Sequence, residues 1–349
     1  MGVEKYAKPL LEDEQQANSE DTRSKRKFLR RLFAVLKSTV KEFGSDNASQ
    51  HGAALSFFTV FALPPLLVLL VMLLSLFLDG STVETQILDQ VRRAAGTTSA
   101  DVVETILENA NKPGNSNFFA AAVSLGVLIF SASNVFAQLQ STLNTIWGVV
   151  VNPKVGLKAM LKTRLLSFGL ILSTGFMVVV LLLIDLILAV LQSTLGAQLG
   201  ILEHLHFFKL LNLGISFVLL TGVLATLFKT LPDVKIRWRD VAAGAVFTAS
   251  LLSVSKFVIS WYLSTSNMGS AYGAAGSTII FLFWLYLNIQ IFLLGAEFTE
   301  SFAREFGSGL QPDKNAMWRL GYRQEAPSDT DEKETQNTED TGATDSPSA

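Results

Sequence analysis

Two ionisable residues set deep in apolar runs are the first candidates for chemistry. Asp185 lies in Leu183-Ile184-Asp185-Leu186-Ile187, and Lys256 in Val254-Ser255-Lys256-Phe257-Val258. Charges within a bilayer are costly and by default mark a function. Two readings are open. The residues pair, or share an aqueous cavity; alternatively each sits near the outer rim, with Lys256 snorkelling along its four carbons. Amides form a second group: Asn288 and Gln290 in one apolar segment, Asn134 and Gln138 in another. Such amides hold helices together for ~0.6 kcal/mol each, and helix contact is the first reading, ahead of substrate contact. Glu297 and Glu300 fall near the end of the last apolar segment and read as interfacial.

Backbone chemistry adds two features. Pro64-Pro65 interrupts an apolar run, where proline removes a donor and crowds the preceding turn. A kink or break there is expected to face protein or a wet cavity. The small-residue stretch Gly269-Ser270-Ala271-Tyr272-Gly273-Ala274-Ala275-Gly276-Ser277 permits either close helix approach or a ligand-contacting turn. The candidate binding set is therefore Asp185, Lys256, Asn288, Gln290, Asn134, Pro64, Tyr272, Gly273 and Gly276. No catalytic set emerges, and no cofactor or metal is expected. Glu203, His204 and His206 crowd one loop but lack a fourth ligand, so a solvated loop is the simpler reading. The absence of cysteine removes thiolate chemistry, disulfides and Cys-bound metal sites.

These residues are carried by six long apolar segments, roughly 53–78, 118–140, 166–191, 208–231, 241–263 and 275–299. A hydrocarbon core about 30 Å thick takes ~20 apolar residues to cross as a helix. In lipid the backbone must satisfy its own hydrogen bonds, so each segment is expected to be helical. Charged residues are only 17% of the chain, against ~25% in soluble domains, which agrees with this reading. The fold expected is all-α and polytopic, with six transmembrane helices. At 1.5 Å per residue, Asp185 and Lys256 would differ in depth by only ~6 Å, so their pairing is geometrically allowed.

Lys and Arg alternate between loops. The residues before the first segment include Arg23, Lys25, Arg26, Lys27, Arg30, Arg31, Lys37 and Lys41. Loop 79–117 is poor in cations; the next carries Lys154, Lys158, Lys162 and Arg164. Loop 192–207 has none, the following one has Lys229, Lys235, Arg237 and Arg239, and the last, Ser264 to Gly273, is uncharged. Positive residues stay inside, so both termini are expected in the cytoplasm. No cleavable leader is read at the start, and the first segment is expected to be an uncleaved anchor.

Residues 1–22 and 324–349 are polar and acidic and read as disordered tails, the second closing a cytoplasmic segment 306–349. Residues 23–43 place Phe28, Leu32, Leu36, Val40 and Phe43 at helical spacing beside the cations, as in an interfacial amphipathic helix. A cytoplasmic helix packed beneath the bundle is equally compatible. The six-helix domain is assigned to 44–305. In loop 79–117, Val83, Ile87, Leu88 and Val91 form one stripe and Val102, Val103, Ile106 and Leu107 another. Two short external helices are expected there, closed by Asn111-Lys112-Pro113-Gly114-Asn115.

Several of these stretches resemble the YihY/BrkB family of bacterial inner-membrane proteins (UPF0761). They are Leu55-Ser56-Phe57-Phe58 with Pro64-Pro65, Asn144-Thr145-Ile146-Trp147-Gly148, and Leu231-Pro232-Asp233-Val234-Lys235-Ile236-Arg237-Trp238 with Gly244-Ala245. Tyr272-Gly273-Ala274-Ala275-Gly276-Ser277 and Leu294-Gly295-Ala296-Glu297 match most clearly, and together the motifs cover about 40–305. Where members often carry an Arg-Pro-like pair, this chain has Asn152-Pro153, which weakens an anion site there. The resemblance implies six spans, an inner-membrane location and a part in envelope integrity, serum resistance or transport of lipidic or small solutes. The family has also borne the label ribonuclease BN. That chemistry needs clustered His and carboxylates around a metal, whereas His51 and the pair His204 and His206 fall on opposite faces of the expected topology.

The expected function is a transporter or translocase that is not driven by ATP, since no phosphate-binding Gly-x-x-x-x-Gly-Lys-Ser/Thr loop exists. A lipid-like substrate suits the thin intramembrane polarity better than a wide hydrophilic route. The alternative is a non-transporting scaffold for envelope machinery, and enzymology ranks last. Expected partners are membrane lipids, with anionic headgroups suited to the basic helix, and proteins reached through the tails. Nucleic acid is not expected, and homo-oligomerisation stays open.

Overall fold

The computed structural model describes residues 4–75, 79–110, 118–151, 205–265, 275–307 and 310–319. The described chain is mostly helical. Helix α1 runs Glu4–Ser45 and turns through Asp46-Asn47 into α2, Ala48–Leu74. Asn47 takes a left-handed conformation (φ 53°), which Asn tolerates better than bulkier residues and which lets the chain reverse in so few positions. Two shorter helices follow, α3 (Gly80–Ala95) and α4 (Thr97–Ala110), separated by Gly96 at φ 84°. Then come α5 (Phe118–Ile146) and strand β1 (Val149–Val151). Helix α6 (Leu205–Thr230), strand β2 (Val234–Lys235), α7 (Trp238–Thr265) and α8 (Gly276–Phe306) precede β3 (Gln311–Pro312) and β4 (Ala316–Trp318).

Helices thus occupy the expected segments 53–78, 118–140, 208–231, 241–263 and 275–299 wherever these are described. Among the described residues, three stretches are long and apolar enough to cross a membrane by length and composition: Leu213–Thr230, Trp238–Ile259 and Gly276–Phe306. The segment 166–191, with Asp185, lies outside the described residues, as do Tyr272 and Gly273. Helix α2 is continuous through Pro64 and Pro65, so the chain has no break there. Proline still leaves the carbonyls one turn earlier, of Val60 and Phe61, without their usual amide donors.

Helix α1 starts far upstream of the expected 23–43 boundary. The added residues are rich in Glu, Gln and Lys, straight-chain side chains that lose little rotamer freedom in a helix. Its inward face is not the apolar stripe of Phe28, Leu36 and Val40. Val35 and Thr39 are buried, whereas Phe28, Leu36 and Val40 are exposed. The helix turns a partly polar face inward because α8 offers it polar and charged partners.

The main core lies at one end of the helices. Trp147, Phe228, Leu143, Leu293, Val241 and Val149 are all but fully buried there. Trp147 and Phe228 approach to 6.2 Å between ring centroids, and Phe228 meets Phe292 at 5.1 Å. A second cluster packs Val83, Ile87, Val103 and Leu107 of α3 and α4 against Leu67 of α2. Both predicted stripes of that loop therefore turn inward.

Helices α7 and α8 cross closely and antiparallel. Gly244 of α7 lies against Thr299 of α8, and one turn on Thr248 lies against Gly295. A Cβ at either glycine would fall inside the opposing threonine side chain. Each threonine hydroxyl donates to the carbonyl four residues back, Thr248 to Gly244 and Thr299 to Gly295, both at 2.7 Å. Small residues repeated every four positions let backbones approach in this way.

The short strands depart from a purely helical expectation. Strand β4 pairs antiparallel with β1, and β3 with β2. Residues 310–319 are thereby stitched back onto the turns after α5 and α6. Arg319 N–H donates to the Gly148 carbonyl at 2.8 Å, and Asp313 N–H to Asp233 at 2.8 Å.

Candidate functional site

The polar residues concentrate where the end of α1, the start of α2 and the C-terminal half of α8 meet. On α8, Glu297, Glu300 and Arg304 fall at helical spacing on one face, with Ser301 beside them. On α1, Ser38 and Glu42 do the same, and Asp46 follows in the turn. Glu42 is the central acceptor. Its carboxylate receives Ser38 Oγ at 2.9 Å, Ser301 Oγ at 3.2 Å and the Arg304 guanidinium. Arg304 also donates to Ser38 Oγ at 3.0 Å and lies 3.6 Å from Glu300. Arg319, delivered by the C-terminal strand, holds Asp46 at 3.1 Å. Burial pushes the Asp46 carboxyl above its ordinary value, and the bond and charge of Arg319 only partly oppose this. Farther out, Arg31 donates to the Glu305 carboxylate at 2.7 Å and lies 4.7 Å from the Phe306 ring.

Glu297 is the exception within this network. It is 0% exposed, and neither side-chain oxygen has a hydrogen-bond partner among the described residues. Its electrostatic neighbours are Asp46, Glu300, Glu42 and Arg304. Glu300 is 1% exposed. An ion removed from water loses several kcal/mol even after relaxation unless it is paired and hydrogen-bonded. A neutral polar group left without one hydrogen bond costs about 1–3 kcal/mol. The arrangement thus leaves a buried carboxyl without a donor beside one guanidinium, that of Arg304, already engaged by Glu42 and Glu300.

A second polar knot joins two of the sequence motifs. Asn144 Nδ2 donates to Asp233 Oδ2 at 2.8 Å, and Asp233 N–H donates back to Asn144 Oδ1 at 2.9 Å. Gln140 Nε2 reaches the same carboxylate at 3.4 Å. Burial raises the Asp233 carboxyl, and the Asn144 bond opposes it.

The sequence-predicted site residues scatter. Gln290 bonds across to another element: its Nε2 donates to the Ser49 carbonyl at 3.2 Å, and Gly52 leaves the space its amide fills. Asn288 donates to Trp284 of its own helix at 2.7 Å. Asn134 and Pro64 are half-buried, and Gly276 is buried at the start of α8. Lys256 is exposed on α7, beside exposed Val254, Phe257, Val258 and Trp261. Asp185, Tyr272 and Gly273 lie outside the described residues.

The family model of virulence factor BrkB matches residues 39–318, which take in α2 to β4 and every group of the junction except Ser38 and Arg319. The chain belongs to this family. BrkB-family relatives include a UPF0761 membrane protein of Methylibium petroleiphilum, 27% identical over 75% of this chain and 60% of its own length. One from Alkalilimnicola ehrlichii is 28% identical over 81% of this chain and 62% of its own. A third, from Stenotrophomonas maltophilia, is 29% identical over 75% and 59%. The chain spans about 60% of the length of the curated relatives it matches. No solved structure matches it. The protein is an integral membrane protein of the BrkB family.

Sequence reasoning passed over Glu42, Asp46, Arg304 and Arg319, and took Glu297 and Glu300 as interfacial. The signal that finds them is periodicity. Glu297, Glu300 and Arg304 recur at three and four residues along an otherwise apolar helix, and Ser38, Glu42 and Asp46 recur every four.

Proposed function

We propose that this BrkB-family protein is a transporter or translocase of a lipid-like or small solute, not driven by ATP, that serves the integrity of the bacterial envelope. The observation that supports it is Glu297, wholly buried and unpartnered in a cluster of opposed charges where three helices meet. A carboxyl group kept at that cost is better suited to a working equilibrium than to holding a fold together. Lipid-like cargo is favoured by the outer faces of α7, where Phe257, Val258 and Trp261 are exposed together. The charge alternation of the loops supports an inner-membrane location with six spans and both termini in the cytoplasm. Anionic lipids are the partners that the basic α1 suits, and no catalytic role is assigned.

The test is reconstitution. Purified protein in liposomes is assayed for movement of fluorescent phospholipids between leaflets and for counterflow of small labelled solutes. Activity above protein-free vesicles, reduced by Glu297→Gln, supports transport. Well-folded protein that moves neither class of solute overturns it in favour of a membrane scaffold.

A further inference from the structure

We propose that Glu297 is a proton-binding site, occupied while α1 is packed against α8 and emptied to the aqueous face when that contact opens. The inference stands on the charge cluster alone and holds whether or not the protein moves a solute.

Carboxylates outnumber guanidiniums in the cluster. Four carboxylates, Glu42, Asp46, Glu297 and Glu300, share the guanidiniums of Arg304 and Arg319. Arg304 is committed to Glu42 and Glu300, and Arg319 to Asp46. Glu297 receives no donor from any of them. Among the described residues the other elements do not supply one either: α2 brings His51, which acts on Asp46, and α7 brings Asp240, paired with Arg237 and lying against Gly307. A small metal cation would need several oxygens converging on one point. Among the described residues, no group of His, Asp and Glu side chains is arranged to hold one. A proton needs one oxygen. Binding forms one O–H bond on the carboxylate, with the proton supplied by water at the aqueous face, and no electrons are exchanged.

The α1 contact is the natural gate. Around Glu42 it is built from exchangeable polar bonds, Arg304 to Ser38 and Glu42 and Ser301 to Glu42, with Arg31 to Glu305 and the ring contact of Phe28 with Phe306 farther out. Parting α1 from α8 would admit water to Glu297 and free Arg304 to pair with it. The proton would then leave.

The experiment is infrared difference spectroscopy of the full chain in lipid nanodiscs across a pH series. The wild type is expected to show, at neutral pH, the C=O stretch of a protonated carboxylic acid without a hydrogen-bond partner, lost as the bath is made alkaline. Glu297→Gln abolishes that band, whereas Glu300→Gln retains it. Ser38→Ala with Ser301→Ala, which weakens the α1 contact, speeds deuterium exchange at the band several-fold. A wild type lacking the band at neutral pH overturns the proposal, and that reading needs no variant to fold. A band that persists in Glu297→Gln, or a carboxylate signal that shifts with sodium in its place, overturns it equally.

Discussion

Glu42 and Arg304, 262 positions apart, form the ion pair that ties α1 to α8 beside the buried Glu297. Both side chains keep partial exposure, 23% and 28%, so solvent screens the pair and it falls short of a fully buried bridge. The two ends are not equivalent. Arg304 also faces Glu300 and Ser38, so Arg304→Ala strands several partners and is expected to destabilise by about 2 kcal/mol. Glu42→Gln keeps one acceptor oxygen, offers its NH2 to a serine hydroxyl that can turn to accept, and removes one negative charge from the cluster, so its loss should be well under half as large. Thermal unfolding in one fixed detergent compares them; equal losses would contradict the asymmetry.

The reciprocal contact of Gly244 with Thr299 and Gly295 with Thr248 makes a steric prediction. Gly295→Val and Gly244→Val each force side-chain volume into occupied space and should cost about 1–3 kcal/mol, with strain spread over both helices. Gly214 on α6 has nothing near its missing Cβ among the described residues, so Gly214→Ala should be neutral or slightly stabilising through helix propensity. Chemical unfolding of the three variants separates packing from propensity. Similar losses at 214 and 295 would rule the packing argument out.

The helices were legible because lipid leaves apolar segments one solution, and the stripes of Val83, Ile87, Val103 and Leu107 were legible because period alone decides which side chains face a partner. Rotation of α1 was not. The stripe of Phe28, Leu36 and Val40 reads equally as a face for the membrane surface or for the bundle, and only the partners that α8 offers Ser38 and Glu42 decide which side of the helix turns inward. The strands escaped because pairs as short as Val234–Lys235 with Gln311–Pro312 have no periodicity to read. The junction escaped for a related reason: its members come from residues 38–46, 297–304 and 319, which only packing brings together. Single charges within apolar runs, Lys256 above all, stand out in the sequence, whereas the charge cluster gathers in the C-terminal half of α8.

Asp233 gives a pH signature. Burial raises its carboxyl above the ordinary value of 3.8 in the folded state, so that state holds the proton more tightly than the unfolded chain. Stability from this group is accordingly greatest below about pH 4 and declines as pH rises through the folded value. Asn144 stabilises the charged form through Nδ2, so Asn144→Ala removes that help only where Asp233 is ionised. The variant also loses the bond from Asp233 N–H at every pH, a baseline of about 1 kcal/mol. Its deficit should be larger at neutral pH than in acid by a further 1 kcal/mol or so, about the excess of a hydrogen bond to a charged group over one to a neutral group. Unfolding midpoints at the two pH values measure this, and a pH-independent deficit would refute the role given to Nδ2.

The outward face of α1 makes the last prediction. Leu29, Phe33, Leu36 and Val40 project from one narrow stripe, with Phe33 and Val40 70% and 69% exposed, and exposed Arg26, Arg30, Lys37 and Lys41 run along its flank. An apolar stripe bordered by cations is the pattern that settles at a bilayer surface, and each cation near anionic headgroups adds about 1 kcal/mol. The chain has no cysteine, so single labels report cleanly. A fluorophore at Phe33→Cys or Val40→Cys should be quenched by brominated acyl chains in anionic nanodiscs, more strongly than one at Lys27→Cys on the opposite side of the helix. The difference should shrink in neutral lipid, because the cations then have no headgroup charge to meet. Quenching that is equal at 27, 33 and 40 would mean that α1 stands clear of the membrane, and that its exposed stripe is covered by something other than lipid.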